Sequence, residues 1–365
     1  MVSSNKVTQF VIALFFATLP FLGFANETNT AEAHKEPNDI KSKIEAFKAH
    51  HVLDSHEFSI TEDEATGTHY GFPLPIILWD NGVHVFSSSK FEHGHAVAES
   101  NGNFYRLGHD EKIYKVESAT AELSGDEHHP TNEKPLDFSI TKSVLSIMIV
   151  AFLMFVIFTG LAKSFARNGG ISSGFGRFFE PIVLYVRDEI AIPNIGEKHY
   201  KRYMSFLLSV FFFVWFLNIF GLTPLGINVT GNIAVTAGLG ILTFLITTFT
   251  ANRNYWGHIF WMPGVPTLMK LVLAPIELLG IFIKPFALMI RLYANMIAGH
   301  IVVMSLLALI FIYKSIGMGA LSFTLTFIIS VIEILVAALQ AYIFTMLAAL
   351  YFGAAVEEHH HEEAH

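Results

Sequence analysis

Lys284-Pro285-Phe286-Ala287-Leu288-Met289-Ile290-Arg291-Leu292-Tyr293-Ala294-Asn295-Met296-Ile297-Ala298-Gly299-His300 lies inside an apolar run that continues to Ile312. A run of this length reads as a membrane-embedded helix. An arginine at such depth costs roughly 2.5–3.5 kcal/mol on insertion scales, so Arg291 requires compensation. A structural account would pair it with a lipid phosphate, but it lies too far from either end of the run to snorkel easily.

Lys314-Ser315-Ile316-Gly317-Met318-Gly319 interrupts the run, and a second one extends from Leu321 to Val356. Two helices joined so closely pack antiparallel, and residues equidistant from the break then sit at equal depth. On this reasoning Gln340 lies opposite Arg291 and Glu333 lies opposite His300. Asn295, one turn after Arg291, is left without an opposite number. Glu333 and Gln340 share one helix face, whereas His300 is turned about half a revolution from Arg291. Gln340 reads either as the partner of Arg291 or as a packing amide. His300 with Glu333 reads either as a static buried pair or as a proton relay, since side chains of these two kinds titrate within reach of neutral pH.

The Arg291-Leu292-Tyr293-Ala294-Asn295-Met296-Ile297-Ala298-Gly299-His300 segment, the Leu339-Gln340-Ala341-Tyr342-Ile343-Phe344 segment and their separation resemble the last two helices of subunit a of the F-type ATP synthase. The similarity covers about Arg177 to the C-terminus and, more loosely, the preceding helix. It implies a non-catalytic, ion-conducting stator subunit without a cofactor, in which two half-channels open on opposite sides of Arg291. It also implies as partners a rotor ring of c subunits, each with one membrane carboxyl, the peripheral-stalk b subunits, the remainder of the synthase and membrane lipid. Ion translocation falls by this resemblance to Arg291, Gln340, Asn295, His300 and Glu333. Glu277 matches a position of the inner half-channel, with Tyr351 lining the same path, and Asn218 matches a polar position of the outer one. Read without the family, Glu277 and Lys284 are interfacial charges. The chain departs from some relatives at Gly221, where they carry an acid, and at Ala287, where they carry a hydroxyl. The His300 and Glu333 positions are reversed relative to some members, an exchange that a relay would tolerate.

Composition agrees with a membrane protein: 52% of residues are hydrophobic, and the mean hydropathy is +0.48. No cysteine is present, so disulfides and thiolate metal sites are excluded. The formal charge of −8 is uneven, because Asn26 to Asp137 holds 21 of the 31 acidic residues but only 9 of the 23 Lys and Arg. The acidity therefore belongs to the front segment, and the apolar part is mildly basic.

In chain order, residues 1–25 read as a cleavable signal peptide or, alternatively, an uncleaved first membrane helix. Residues 26–135 read as an exported acidic, His-rich domain, with a short helix from Asp39 to about His50. Its Ile76 to Phe86 stretch is a hairpin turning at Asn81-Gly82, and Asn103 to Tyr114 is a second. A first membrane helix occupies 136–162. The cytoplasmic segment 163–202 is basic, in accordance with the positive-inside rule, and holds an amphipathic surface helix from Arg177 to Ile192. The channel domain, 203–365, carries helices at about 203–220, 233–250, 270–312 and 321–356. About forty residues of helix span roughly 60 Å, double a bilayer core of ~30 Å. The last two helices are thus expected to form a long tilted hairpin with bends at Pro275 and Pro285.

The expected fold class is an all-α membrane protein with about five embedded helices, one surface helix and a small exported domain of β-hairpins. The mature N-terminus lies in the periplasm and the C-terminus in the cytoplasm of a bacterial inner membrane. No phosphate-cradling glycine loop or nucleic-acid-binding pattern is present, and the histidines lack tight metal-ligand spacing. The competing function is a stand-alone metal or proton-coupled transporter that gathers its cargo on the exported histidines.

Overall fold

The computed structural model describes residues 54–63, 68–94, 96–126, 129–167, 176–223, 228–262, 266–313 and 316–357. The signal segment, the helix expected after Asp39 and the His-rich tail from Glu358 lie outside them.

Short antiparallel strands come first. β1 (Glu57–Asp63) pairs with β2 (Thr68–Pro73), and β3 (Pro75–Trp79) with β4 (Val83–Ser87). β5 (Ala98–Ser100), β6 (Asn103–Leu107) and β7 (Ile113–Val116) form a three-stranded sheet. β8 (Gly125–Asp126) pairs with β9 (His129–Pro130), and β10 (Leu136–Asp137) returns to pair with β3. Alternation directs Ile76 and Leu78 inward, where they pack with Phe86, Phe91, Ala98, Tyr105 and Ile113. Both expected hairpins are present, and Asn81 adopts φ 52° in the first turn. A further turn at Asn101-Gly102, with φ of 52° and 81°, joins β5 to β6.

The first membrane helix starts later than expected. Phe138 and Ile140 donate their backbone N–H groups to Ile77 and Pro75, and Ser139 Oγ accepts from Ile77 N–H. These backbone groups extend the sheet, so α1 spans Lys142–Arg167. Its cap comes from far away in sequence: Asp54 accepts from Ser143 N–H at 3.0 Å and from the Thr141 hydroxyl at 2.9 Å. An N-terminal cap of this kind contributes about 1 kcal/mol. Asp54 also accepts from Asn232 Nδ2 at 3.4 Å.

A buried pair ties β1 to β10. His56 Nε2 lies 2.9 Å from Asp137 Oδ2. Burial works to lower the pKa of His56, but the Asp137 hydrogen bond and the charges of Asp137, Asp54 and Glu111 hold it above its ordinary value. Burial likewise opposes ionisation of Asp137, yet hydrogen bonds from His56 and Ser139 hold it below its ordinary value. The histidine contribution to stability is complete below about pH 6.5 and is lost as the pH rises through the raised folded value. The aspartate contribution is present above about pH 4 and is lost as the pH falls through the lowered one. The pair therefore stabilises most between these limits. Glu111, whose pKa burial raises, adds a cost as it ionises at higher pH. Amide exchange in β1 and β10 of the intact protein, corrected for intrinsic rates, is expected to be slower near pH 5.5 than near pH 8. Asp137→Asn should remove most of the difference, and equal protection at both values would contradict the pair's role.

The remainder is helical. α2 (Gly176–Tyr185) continues through a π-helical stretch, Val186–Ala191, into α3 (Ile192–Ile195). α4 spans Tyr200–Gly221, α5 Ile233–Thr250 and α6 Arg253–Phe260. α7 (Thr267–Tyr313) passes through Pro275 and Pro285 as one helix, and α8 (Ile316–Val356) takes up Gly317 and Gly319. The break between the two is thus shorter than the sequence pattern suggests. Among the described residues, five helices are long and apolar enough to cross a membrane: α1, α4, α5, and the Met269–Leu306 and Gly319–Val356 parts of α7 and α8.

The bundle core joins Leu207, Phe212, Val214 and Leu217 of α4 to Ala341, Phe344, Ala348, Ala349 and Phe352 of α8. Small side chains on α8 permit close approach where no water drives association. Phe179, Val186 and Ile190 of the expected surface helix, and Ile195 just beyond it, join the same core. In α5, a Cβ on Gly240 would lie 3.0 Å from the Pro285 carbonyl oxygen, so this glycine lets α5 pass against α7.

The two ends of α8 differ. At its C-terminal end, Asn252 donates from its backbone to Ala355 O at 2.8 Å and from its side chain to Val356 O at 3.1 Å, satisfying carbonyls that a helix end leaves unpaired. Gly353 packs on the Asn194 carbonyl, where any Cβ would overlap it, and Asn194 Nδ2 also contacts Met346 Sδ. The stretch from Leu321 to Leu335 instead exposes large apolar side chains, among them Phe323, Phe327 and Leu335.

Candidate functional site

Three contacts set the register of α7 against α8. Lys284 Nζ lies 5.7 Å from the Tyr351 ring centre, Asn295 Nδ2 donates to Gln340 Oε1 at 2.7 Å, and the Glu333 carboxyl presses on Gly299 so closely that a Cβ there would overlap it. These contacts run in opposite sequence order along the two helices, which are therefore antiparallel. At the Lys284 and Asn295 contacts the midpoint lies about two residues beyond the one that pairs Arg291 with Gln340, a shift of about one turn, whereas Glu333 lies against Gly299, beside the His300 expected opposite it. Asn295, for which the sequence offered no counterpart, is thus the residue bonded to Gln340, and Arg291 is not at its level. The amide pair holds this register because each side chain can both donate and accept.

Arg291 is exposed on α7, between Lys284, which meets Tyr351, and Asn295 of the amide pair. Glu277 sits near Tyr255 of α6, whose hydroxyl burial pushes up, with the Glu277 charge adding to the effect. Lys284, Glu277 and Tyr351 thus gather toward the α6 end of α7, one or more turns from the amide pair.

On the other side of Arg291 lies a cavity of about 20 Å³. It is lined by Asn218, Asn295, Gly299, His300, Glu333 and Gln340, together with Leu222, Met296, Val336 and Ala337. That volume holds about one water molecule. The structure therefore brings together five of the eight residues singled out in the sequence and places Arg291, Glu277 and Tyr351 outside the cavity. His300 and Glu333 share its wall, as their expected pairing requires. Asn218 is buried in α4 and accepts from the Thr230 hydroxyl at 2.8 Å. Among the described residues, Asn218 Nδ2, Glu333 Oε1 and Gln340 Nε2 are buried without a hydrogen-bond partner. Two donors and one acceptor on residues that line a space of water size thus lack a protein partner, which suits the space to an ordered water.

The sequence reading missed Thr230 and Asp54. Neither lies on a helix periodicity, and a buried hydroxyl in a turn has no spacing signature of its own. Residues 144–353 match the family described as ATP synthase A chain.

The chain belongs to the ATP synthase A chain family.

It is similar to the ATP synthase subunit a of Chloroherpeton thalassium, 37% identical over 310 residues, covering 80% of this chain and 90% of the relative. Subunit a of Myxococcus xanthus is 40% identical over 240 residues, covering 63% of this chain and 77% of that one. Subunit a of an Anaeromyxobacter species is 42% identical over 239 residues, covering 63% of this chain and 57% of the relative. Residues 47–138 match a second family, described as a domain of unknown function. Family membership and five apolar helices make this a multi-pass membrane subunit of ATP synthase that is not itself an enzyme. Its work belongs to proton transport and ATP synthesis.

Proposed function

We propose that this chain is the proton-translocating stator subunit of a rotary F-type ATP synthase, with Arg291 separating two half-channels. The observation that carries the proposal is Arg291 exposed on α7, between the Asn218–Glu333 cavity on one side and the Glu277–Tyr351 group on the other. A protonated rotor carboxyl is neutral and can face lipid, whereas its ionised form requires a polar surface and a nearby cation. Arg291 supplies that cation. It favours loss of the proton as each carboxyl passes and blocks direct leakage between the two polar paths.

The outer path runs through Asn218, Asn295, His300, Glu333 and Gln340. The inner path runs past Glu277 and Tyr351. Each proton crossing gains about 2.3 kcal/mol per 100 mV, so several must cross before a chemical step elsewhere is driven. The partners are a ring of c subunits against the exposed faces of α7 and α8, the peripheral-stalk b subunits and the rest of the synthase. The basic residues Lys163, Arg167, Arg177, Arg187, Lys198, Lys201 and Arg202 orient the chain with the C-terminus in the cytoplasm and the β region in the periplasm of a bacterial inner membrane.

Purification from native membranes in mild detergent is expected to recover the chain with a ring of small, carboxyl-bearing subunits. Recovery of an isolated chain that transports metal or protons alone, with uptake lost when the histidines of the β region are replaced, would favour the stand-alone transporter instead.

A further inference from the structure

The turn between α4 and α5 carries a fully buried hydroxyl that no sequence motif marks. Thr230 donates to Asn218 Oδ1 at 2.8 Å and is 0% exposed. A buried hydroxyl is costly unless it is bonded, and valine would fill the same volume without that cost. What the hydroxyl adds is direction. The bond engages the oxygen of an amide whose residue lines the cavity, and the Asn218 nitrogen is left buried with no partner among the described residues.

An amide nitrogen only donates. A water that accepts from Asn218 Nδ2 points its own hydrogens elsewhere, and Glu333 Oε1 is the acceptor without a protein partner on the same cavity wall. Freed from Thr230, the amide can turn over and present its oxygen, which would draw the water's hydrogens away from the carboxyl.

The turn is itself held. Asn232 N–H donates to Val229 O at 3.1 Å, the Asn232 side chain accepts from Ala234 N–H at 2.9 Å, and Asn232 Nδ2 donates to Asp54 Oδ2. Asp54 precedes β1 and caps α1 with the same carboxylate.

We propose that Thr230 is a positioning residue for proton passage: it holds the Asn218 amide with its nitrogen toward the cavity, and Asp54, at the root of the β region, steadies the turn that carries it. This rests on the assignment of the cavity to the proton path. It also gives the β region a mechanical task, since a carboxylate at its entry bonds Asn232 in the turn that carries Thr230.

The test uses membrane vesicles holding the complete synthase, with passive proton flux normalised to assembled complex. Thr230→Val is expected to lower flux about 3- to 10-fold, the range for one hydrogen bond, while Thr230→Ser retains most of it. Asn218→Leu should lower flux at least as much, and adding Thr230→Val to it should have no further effect. Asp54→Ala should cost about 2- to 3-fold alone and little more on top of Thr230→Val. If Thr230→Val does not assemble, Thr230→Ala takes its place. Normal flux in Thr230→Val with impaired flux in Asn218→Leu overturns the positioning role and leaves the proton path standing. Equal damage from serine and valine also overturns it. Normal flux in Asn218→Leu overturns the assignment of the cavity to the path, and full flux in Asp54→Ala removes the β region from the proposal.

Discussion

Arg291→Ala is expected to abolish ATP synthesis driven by a proton gradient, with a loss of about 100-fold or more. Removing the cation leaves each ionised rotor carboxyl buried at the interface without a partner, which costs about 3–5 kcal/mol. At 1.36 kcal/mol per factor of ten, that corresponds to roughly 10² to 5 × 10³ in rate. The measurement is synthesis by inverted vesicles at a fixed proton gradient, with hydrolysis by the same vesicles as a control for assembly. Hydrolysis that persists while synthesis disappears is the expected pattern. Synthesis at the unsubstituted rate would end the mechanism. The exposed position of Arg291 sharpens the expectation, because no carboxylate within the described part of the chain forms an ion pair with it, and alanine there opens no core cavity.

The second large effect concerns the shared wall of the cavity. His300→Ala and Glu333→Ala are each expected to reduce passive proton flux about 10-fold or more, within the range for removing a group that passes protons. The exchange of His300→Glu with Glu333→His is expected to retain more flux than either His300→Glu or Glu333→His alone, since a relay requires one of each type but not a fixed order. Equal damage in all three would count against pairing. Gly299 sets the limit on such changes, because the Glu333 carboxyl occupies the space that a side chain at that position would need.

Much of this architecture was legible because an apolar run of given length admits few readings. The α5 boundaries at Ile233 and Thr250 follow from the Asn232 cap and the end of the apolar stretch. The hairpin at Asn81-Gly82 follows from the conformations those residues favour. The same signal at Asn101-Gly102 stood in the sequence and went unread. The start of α1 was misplaced because Leu136 and Phe138 are as apolar as the helix that follows; only the strand partner β3, more than fifty residues earlier, shows that their backbone belongs to a sheet. Opposite Arg291 the pairing of α7 with α8 differs by a turn from the one the break suggests, for a related reason. A glycine-containing break suggests where two helices part, but the contacts of Asn295, Gly299 and Lys284 decide where they meet. Long-range caps such as Asp54 leave no local trace, and neither does the π-helical stretch from Val186 to Ala191.

The unequal ends of α8 have a mechanical consequence. Asn252, Asn194 and Gly353 fasten one end of a 41-residue rod, while its other half rests along α7 with an apolar flank exposed. Such a rod is a cantilever. A neighbour sliding along that half would flex it about its fixed root, so that force from each passing subunit arrives at the asparagine joint rather than dispersing along the length. On the proposed stator role, stiffness at that joint would govern how much torque is stored as elastic strain between one step and the next.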